Sequence, residues 1–142
     1  MKYQRYRCQS KNRRRAAAAV EFAIVAPVFF LLLFAMVEYG RMVMVQQLLT
    51  NASREGARQA VLDGATTEKV KDVVEQYLAN ARITAQRNDI TVTPTPSATA
   101  FGDPISITVS VPFTEVSWLP SPLFLGATEL QASSAMRRET AQ

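Results

Sequence analysis

Residues 16–37 read AAAAVEFAIVAPVFFLLLFAMV. The stretch holds one charge, Glu21, and one proline, Pro27. At about 1.5 Å rise per residue it makes roughly 33 Å of helix, matching a hydrocarbon layer of about 30 Å. FFLLLF is apolar on every side of a helix, and the rest of a 142-residue chain is too small to wrap it as a soluble core. The stretch is therefore read as a membrane span. Glu38, Tyr39 and Arg41 close it, with Tyr39 suited to the membrane–water boundary.

Charge is segregated around this span. Residues 1–15 carry seven basic side chains (Lys2, Arg5, Arg7, Lys11, Arg13, Arg14, Arg15) and no acid. From Ala16 onward there are nine basic and twelve acidic residues, a balance of −3. A basic block can bind nucleic acid. Here an apolar run follows it directly, and positive charge before a span marks a cytoplasmic flank. No nucleic-acid partner is expected.

A cleaved secretory signal would place small residues after the apolar core. Met36-Val37-Glu38-Tyr39 stands there instead, and the small residues Ala16 to Ala19 come before the core. Any cut is thus expected at the cytoplasmic edge, leaving the helix attached to the C-terminal domain. Glu21 is the polar exception. A carboxylate in an apolar helix costs a few kcal/mol unless it reaches water or a partner. It could stay hydrated near the interface. Alternatively, a cut between Ala16 and Ala17 would create a cationic α-amine, with Glu21 fifth in the shortened chain, and a neighbouring subunit's amine could pair with Glu21. Pro27 deprives the carbonyl of Ala23 of its helical partner, so a mild kink is expected.

The chain has no histidine, and its one cysteine, Cys8, lies in the leader. A domain beyond the span must then stand on apolar packing without disulfides, and most metal sites are excluded. The commonest general base is missing. No nucleophile elbow, Ser-x-x-Lys arrangement or glycine-rich phosphate loop is present. No enzyme activity, cofactor or small-molecule substrate is expected.

At its N-terminal end the sequence resembles the TadE-like proteins, minor pseudopilins of the tight-adherence (Tad/Flp) pilus system. The resemblance rests on the basic leader, the small-residue run, Val20-Glu21-Phe22, Ala26-Pro27 and the exit Glu38-Tyr39-Gly40-Arg41. LLTNASREGARQAVL at 48–62 is similar to the family's juxtamembrane helix, and LQASSAMRRE at 130–139 to its closing strand. The resemblance implies a prepilin peptidase cutting at Ala16–Ala17, with Glu21 as the fifth mature residue and an assembly determinant. Ala16 departs from the glycine usual before the cut, keeping small size with less backbone freedom. The resemblance further implies a bacterial inner-membrane protein with a cytoplasmic N-terminus and an exported C-terminal part. Its partners would be the bilayer, the peptidase, other Tad pilins and pilus-assembly membrane proteins. The role implied is a pilus-assembly subunit supporting surface adhesion. The alternative is a single-pass anchored binding or adhesion module that does not polymerise.

Beyond the span, helical character continues to Leu62. Val45, Leu49, Ala52, Gly56 and Ala60 recur every three or four residues and share a face. Ala52, Gly56 and Ala60 permit close approach, favouring the chain's own sheet over a helix of another subunit. Asp63-Gly64 is the expected helix end. Thr66 or Thr67 caps a second helix carrying Val70, Val73, Val74, Tyr77, Leu78 and Ala81 as a core stripe. Residues 90–93 and 105–111 alternate as strands, and 128–136 form a last one with Leu130, Ala132 and Ser134 on one side. The proline-broken loop 118–126, WLPSPLFLG, is expected to cover the core. The fold class is α+β: one transmembrane helix extending into a small pilin-like exported domain, with a second helix and three to four mostly antiparallel strands. The expected divisions are a leader (1–16), a span (17–37) and an exported domain (38–142).

Overall fold

The computed structural model describes residues 5–96, 100, 102–118 and 125–138, with side chains from Arg15 onward. Helix α1, Arg5–Ala60, continues without interruption through Pro27. The chain divides into two units, one ending at Val37 and the other beginning at Glu38.

The first unit is bare helix. From Arg15 to Val37 every side chain is exposed except half-buried Ala26 and Ala35. Phe22, Ile24 and Val28 are among the most open. This continuous apolar surface is long enough to cross a membrane. The chain thus fits a single-pass membrane protein.

The second unit is α+β, as the alternation and helix periods require. The final turns of α1 present Val45, Leu49, Ala52, Ala57 and Ala60 to a core that leaves none of them more than 1% exposed. The helix ends at Ala60, one turn before the expected Asp63-Gly64. Leu62 donates its N–H to the Gln59 carbonyl at 3.3 Å, a tighter turn. Leu62 and Asp63 are exposed, so no burial holds another helical turn there. Gly64 then turns the chain with φ +72°.

Helix α2, Thr67–Asn80, starts where Thr66 caps it, its side chain accepting from the Lys69 N–H at 3.3 Å. Val70, Val74 and Leu78 are buried, while Val73, Tyr77 and Ala81 are half-buried beside them. A one-turn 3₁₀ segment, Arg87–Asp89, leads into β1, Ile90–Thr93. Strand β2, Pro104–Pro112, is followed by a single helical turn, α3, Phe113–Val116, and then β3, Glu129–Arg137.

These strands form a three-stranded antiparallel sheet in the order β1-β2-β3. Register places Ile90 opposite Val109, Val92 opposite Ile107, Val109 opposite Ala132 and Val111 opposite Leu130. Paired positions share a face, so one side of the sheet is apolar. Ile105, Ile107, Val109 and Val111 are fully buried there, with Phe113 added from α3. On the other face the Thr108 hydroxyl donates to Ser133 Oγ at 3.1 Å.

The 118–126 loop departs from expectation at its first residue. Trp118 is 66% exposed and does not cover the core. The Arg41 guanidinium lies over its ring, 5.1 Å from the centre. Leu125 does pack partly against the core. Residues 119–124 lie outside the described residues.

Candidate functional site

Three groups of residues stand out in the sequence, and the fold treats them differently. Ala16, Ala17 and Glu21 stand on α1 with exposed side chains, so the Ala16–Ala17 bond lies within the helix of the uncut chain. Ala17 and Glu21, four positions apart, share a helix face. Glu21 is thus a carboxylate presented on the outside of an otherwise apolar rod.

Ala52, Gly56 and Ala60 face inward within the second unit. Gly56 shows how tightly. A Cβ built there would lie 2.6 Å from Val74 Cγ2 and 3.2 Å from Ile107 Cγ2. The absence of a side chain at Gly56 is what lets α1 approach both α2 and β2. Ser53 is buried beside this line and satisfies its hydroxyl on the Thr50 carbonyl at 2.9 Å. The outward side carries Glu55 and Arg58, paired at 2.5 Å and 3.1 Å. The Arg58 hydrogen bonds hold the Glu55 carboxyl below its ordinary pKa, and Glu55 in turn raises that of Arg58.

Two residues at the start of the second unit, the third group, do more than the sequence announced. Glu38 and Arg41 read as charges closing the span. Glu38 is instead 1% exposed, and its Oε1 accepts the Leu125 N–H at 3.1 Å. Arg41 Nε donates to the Val116 carbonyl at 2.8 Å, and the guanidinium lies 5.1 Å from the centre of the Trp118 ring. One turn of α1 therefore holds both ends of the segment that leaves α3 and returns toward β3. A buried carboxylate needs such hydrogen bonds to offset its desolvation. No local signal revealed these contacts, because the partners lie 75 and 87 positions further along.

Elsewhere a hollow of about 510 Å³ is lined by Glu75, Ala79, Arg82, Ile83, Thr84 and Ala85. Glu75 there faces Arg87 at 3.5 Å, and Arg87 also binds Glu68 and Asp72. This is a clamp of the 3₁₀ turn onto α2, with no nucleophile set beside a base. What the described residues show is packing, charge placement and an apolar helix long enough to cross a membrane.

The extent of α1 and the order of its residues are what the comparison with known families picks out. Residues 16–58 match the TadE-like protein family. The match starts at the small-residue run, takes in Glu21, Pro27 and the Glu38–Arg41 exit, and ends in the packed helix face. It agrees with the resemblance carried by the sequence motifs. Strand β3 lies beyond the matched residues. No curated protein and no solved structure matches the chain. TadE-like proteins are pilus-assembly components, and the matched segment at 16–58 suggests a Tad pilus-associated protein.

Proposed function

We propose that the chain is a minor pseudopilin: a non-enzymatic assembly subunit of a Tad/Flp-type pilus that supports surface adhesion. The observation that carries this reading is the TadE-like match over 16–58, beginning at the small residues that precede the apolar run. In the proposed arrangement residues 1–16 form a cytoplasmic leader, 17–37 span the inner membrane and 38–142 form the exported domain. A prepilin peptidase removes Met1 to Ala16. The new α-amine at Ala17 is cationic near neutral pH, and Glu21 lies one helical turn away on the same face.

A lipid-facing carboxylate supports this arrangement. Its cost of a few kcal/mol alone in hydrocarbon becomes a driving force for association if a neighbour supplies the amine. The partners are other Tad pilins and the membrane proteins that assemble them. Ala52, Gly56 and Ala60 contribute by packing α1 within its own domain.

Intact-mass measurement of the protein from cells carrying the matching peptidase tests the reading. The expected species begins at Ala17. Retention of Met1 would overturn processing and favour a plain membrane-anchored adhesion module. Glu21→Ala is expected to insert normally and to reduce piliation, and wild-type piliation in that variant would remove the assembly role of Glu21.

A further inference from the structure

We infer that Trp118 and Arg41 form a contact with the phospholipid headgroup layer, a second attachment to the membrane besides the helical span. This rests on the reading that residues 17–37 cross the bilayer.

Distance along the helix sets the depth. Arg41 lies four residues past Val37, about 6 Å along a helix axis. The polar layer of each leaflet is on the order of 5–8 Å thick. Arg41 therefore falls within the headgroup layer whenever the hydrocarbon ends near Val37. Trp118 is held beside Arg41 by two independent attachments, the Arg41–Val116 hydrogen bond at 2.8 Å and the ring stack at 5.1 Å. Glu38, one turn earlier, fixes the return of the chain at Leu125.

Chemistry identifies the occupant. Trp118 is a large ring left 66% exposed although the domain has a well-filled core. An indole combines an apolar body with an N–H donor, which suits the boundary between hydrocarbon and water. Arg41 carries more N–H donors than the Val116 carbonyl and the Met44 sulfur take up, and a guanidinium matches phosphate oxygens. Tyr39, 61% exposed on the same turn of α1, adds a second amphipathic ring. Arg41 and Trp118, held side by side, offer a guanidinium and an indole to phospholipid headgroups.

Trp118 is the chain's sole tryptophan, so its fluorescence reports the contact directly. The full chain would be reconstituted into phosphatidylcholine–phosphatidylglycerol vesicles with bromine on the acyl chains, either near the headgroup or near the terminal methyl. The expected result is blue-shifted emission, resistance to aqueous acrylamide, and stronger quenching by shallow bromine than by deep. Arg41→Ala should weaken shallow quenching, and Arg41→Lys should retain more of it. A second reporter, Phe29→Trp in a Trp118→Phe background, reads the span itself and should be quenched by deep bromine. If Phe29→Trp is quenched deeply while Trp118 emits as in water, the headgroup contact is wrong and the span stands. If Phe29→Trp is not quenched, the spanning reading fails and takes this inference with it. Trp118 shielded from acrylamide but untouched by bromine would mark a protein contact and overturn the proposal.

Discussion

Arg82 occupies a backbone position usually given to glycine. Its φ is +57°, and it closes α2 by donating its N–H to the Ala79 carbonyl at 2.9 Å. Ile83 then donates to the Leu78 carbonyl at 2.9 Å, and Ile83 and Leu78 are both buried. This is a Schellman ending with arginine at the left-handed residue. The conformation costs an L-residue about 1–2 kcal/mol, offset for glycine by roughly 0.4–1 kcal/mol of extra unfolded-state freedom. Because the Arg82 side chain is exposed, Arg82→Gly is expected to stabilise the fold by roughly 0.5 kcal/mol or more. Thermal unfolding of the full chain in mild detergent should show a Tm higher by a few degrees; an unchanged or lower Tm would refute it. Gly56 presents the opposite case. Alanine there gains about 1 kcal/mol of helix propensity. It also drives a methyl into stiff, fully buried Val74 at 2.6 Å, and overpacking of this kind costs about 1–3 kcal/mol. Gly56→Ala should therefore lower Tm, and a higher Tm would show that α2 can move aside. Gly56 was legible in the sequence because small residues recur every four positions. Arg82 was not, because nothing about arginine announces a left-handed backbone.

Elements were legible where burial imposes a period. Strand β2 alternates buried and half-buried positions from Ile105 to Val111, and its sequence alternates in step. Helix α2 buries Val70, Val74 and Leu78 at spacing four, and Thr66 caps it as its side-chain chemistry predicts. Contacts across the sequence were not legible. Glu38 and Arg41 show no local sign of reaching Leu125 and Val116, and Trp118 was expected inside because large aromatics usually are. The end of α1 at Ala60 followed from exposure of Leu62 and Asp63, which only the packed domain reveals. On the exposed face of α1, the Glu55–Arg58 pair gives a pH-dependent element. Its carboxyl is depressed in the folded state chiefly by the Arg58 hydrogen bonds. The pair's contribution is therefore present above the ordinary carboxylate range and is lost as pH falls through the lower folded value. A carboxyl-carbon NMR titration should place Glu55 below an ordinary glutamate, and Arg58→Ala should return it upward. An unshifted titration in the wild-type chain would contradict the pairing.

At the scale of the whole molecule, the two units differ in burial. Among the described residues, the buried apolar core runs from Val45 to Ala132, and the side chains from Arg15 to Val37 contribute none of it. The second unit carries its own helix face, cap, sheet and core, which are the requirements for independent folding. A fragment beginning at Glu38 is therefore expected to fold without the apolar run. Its first helix would be shorter than α1, but fraying at the new end is restrained by Glu38 on Leu125 and Arg41 on Val116. Cooperative unfolding of a domain of this size should absorb about 60–80 kcal/mol. A single cooperative transition by calorimetry of the 38–142 fragment in aqueous buffer, with dispersed amide signals in its NMR spectrum, is the expected outcome. Aggregation or a broad, non-cooperative melt would mean that the core depends on residues before Glu38. The double variant Glu38→Ala, Arg41→Ala sharpens the test, because it removes both restraints while leaving the core residues in place. If those restraints secure the first turn, amide exchange in that fragment should accelerate there and leave β2 protected.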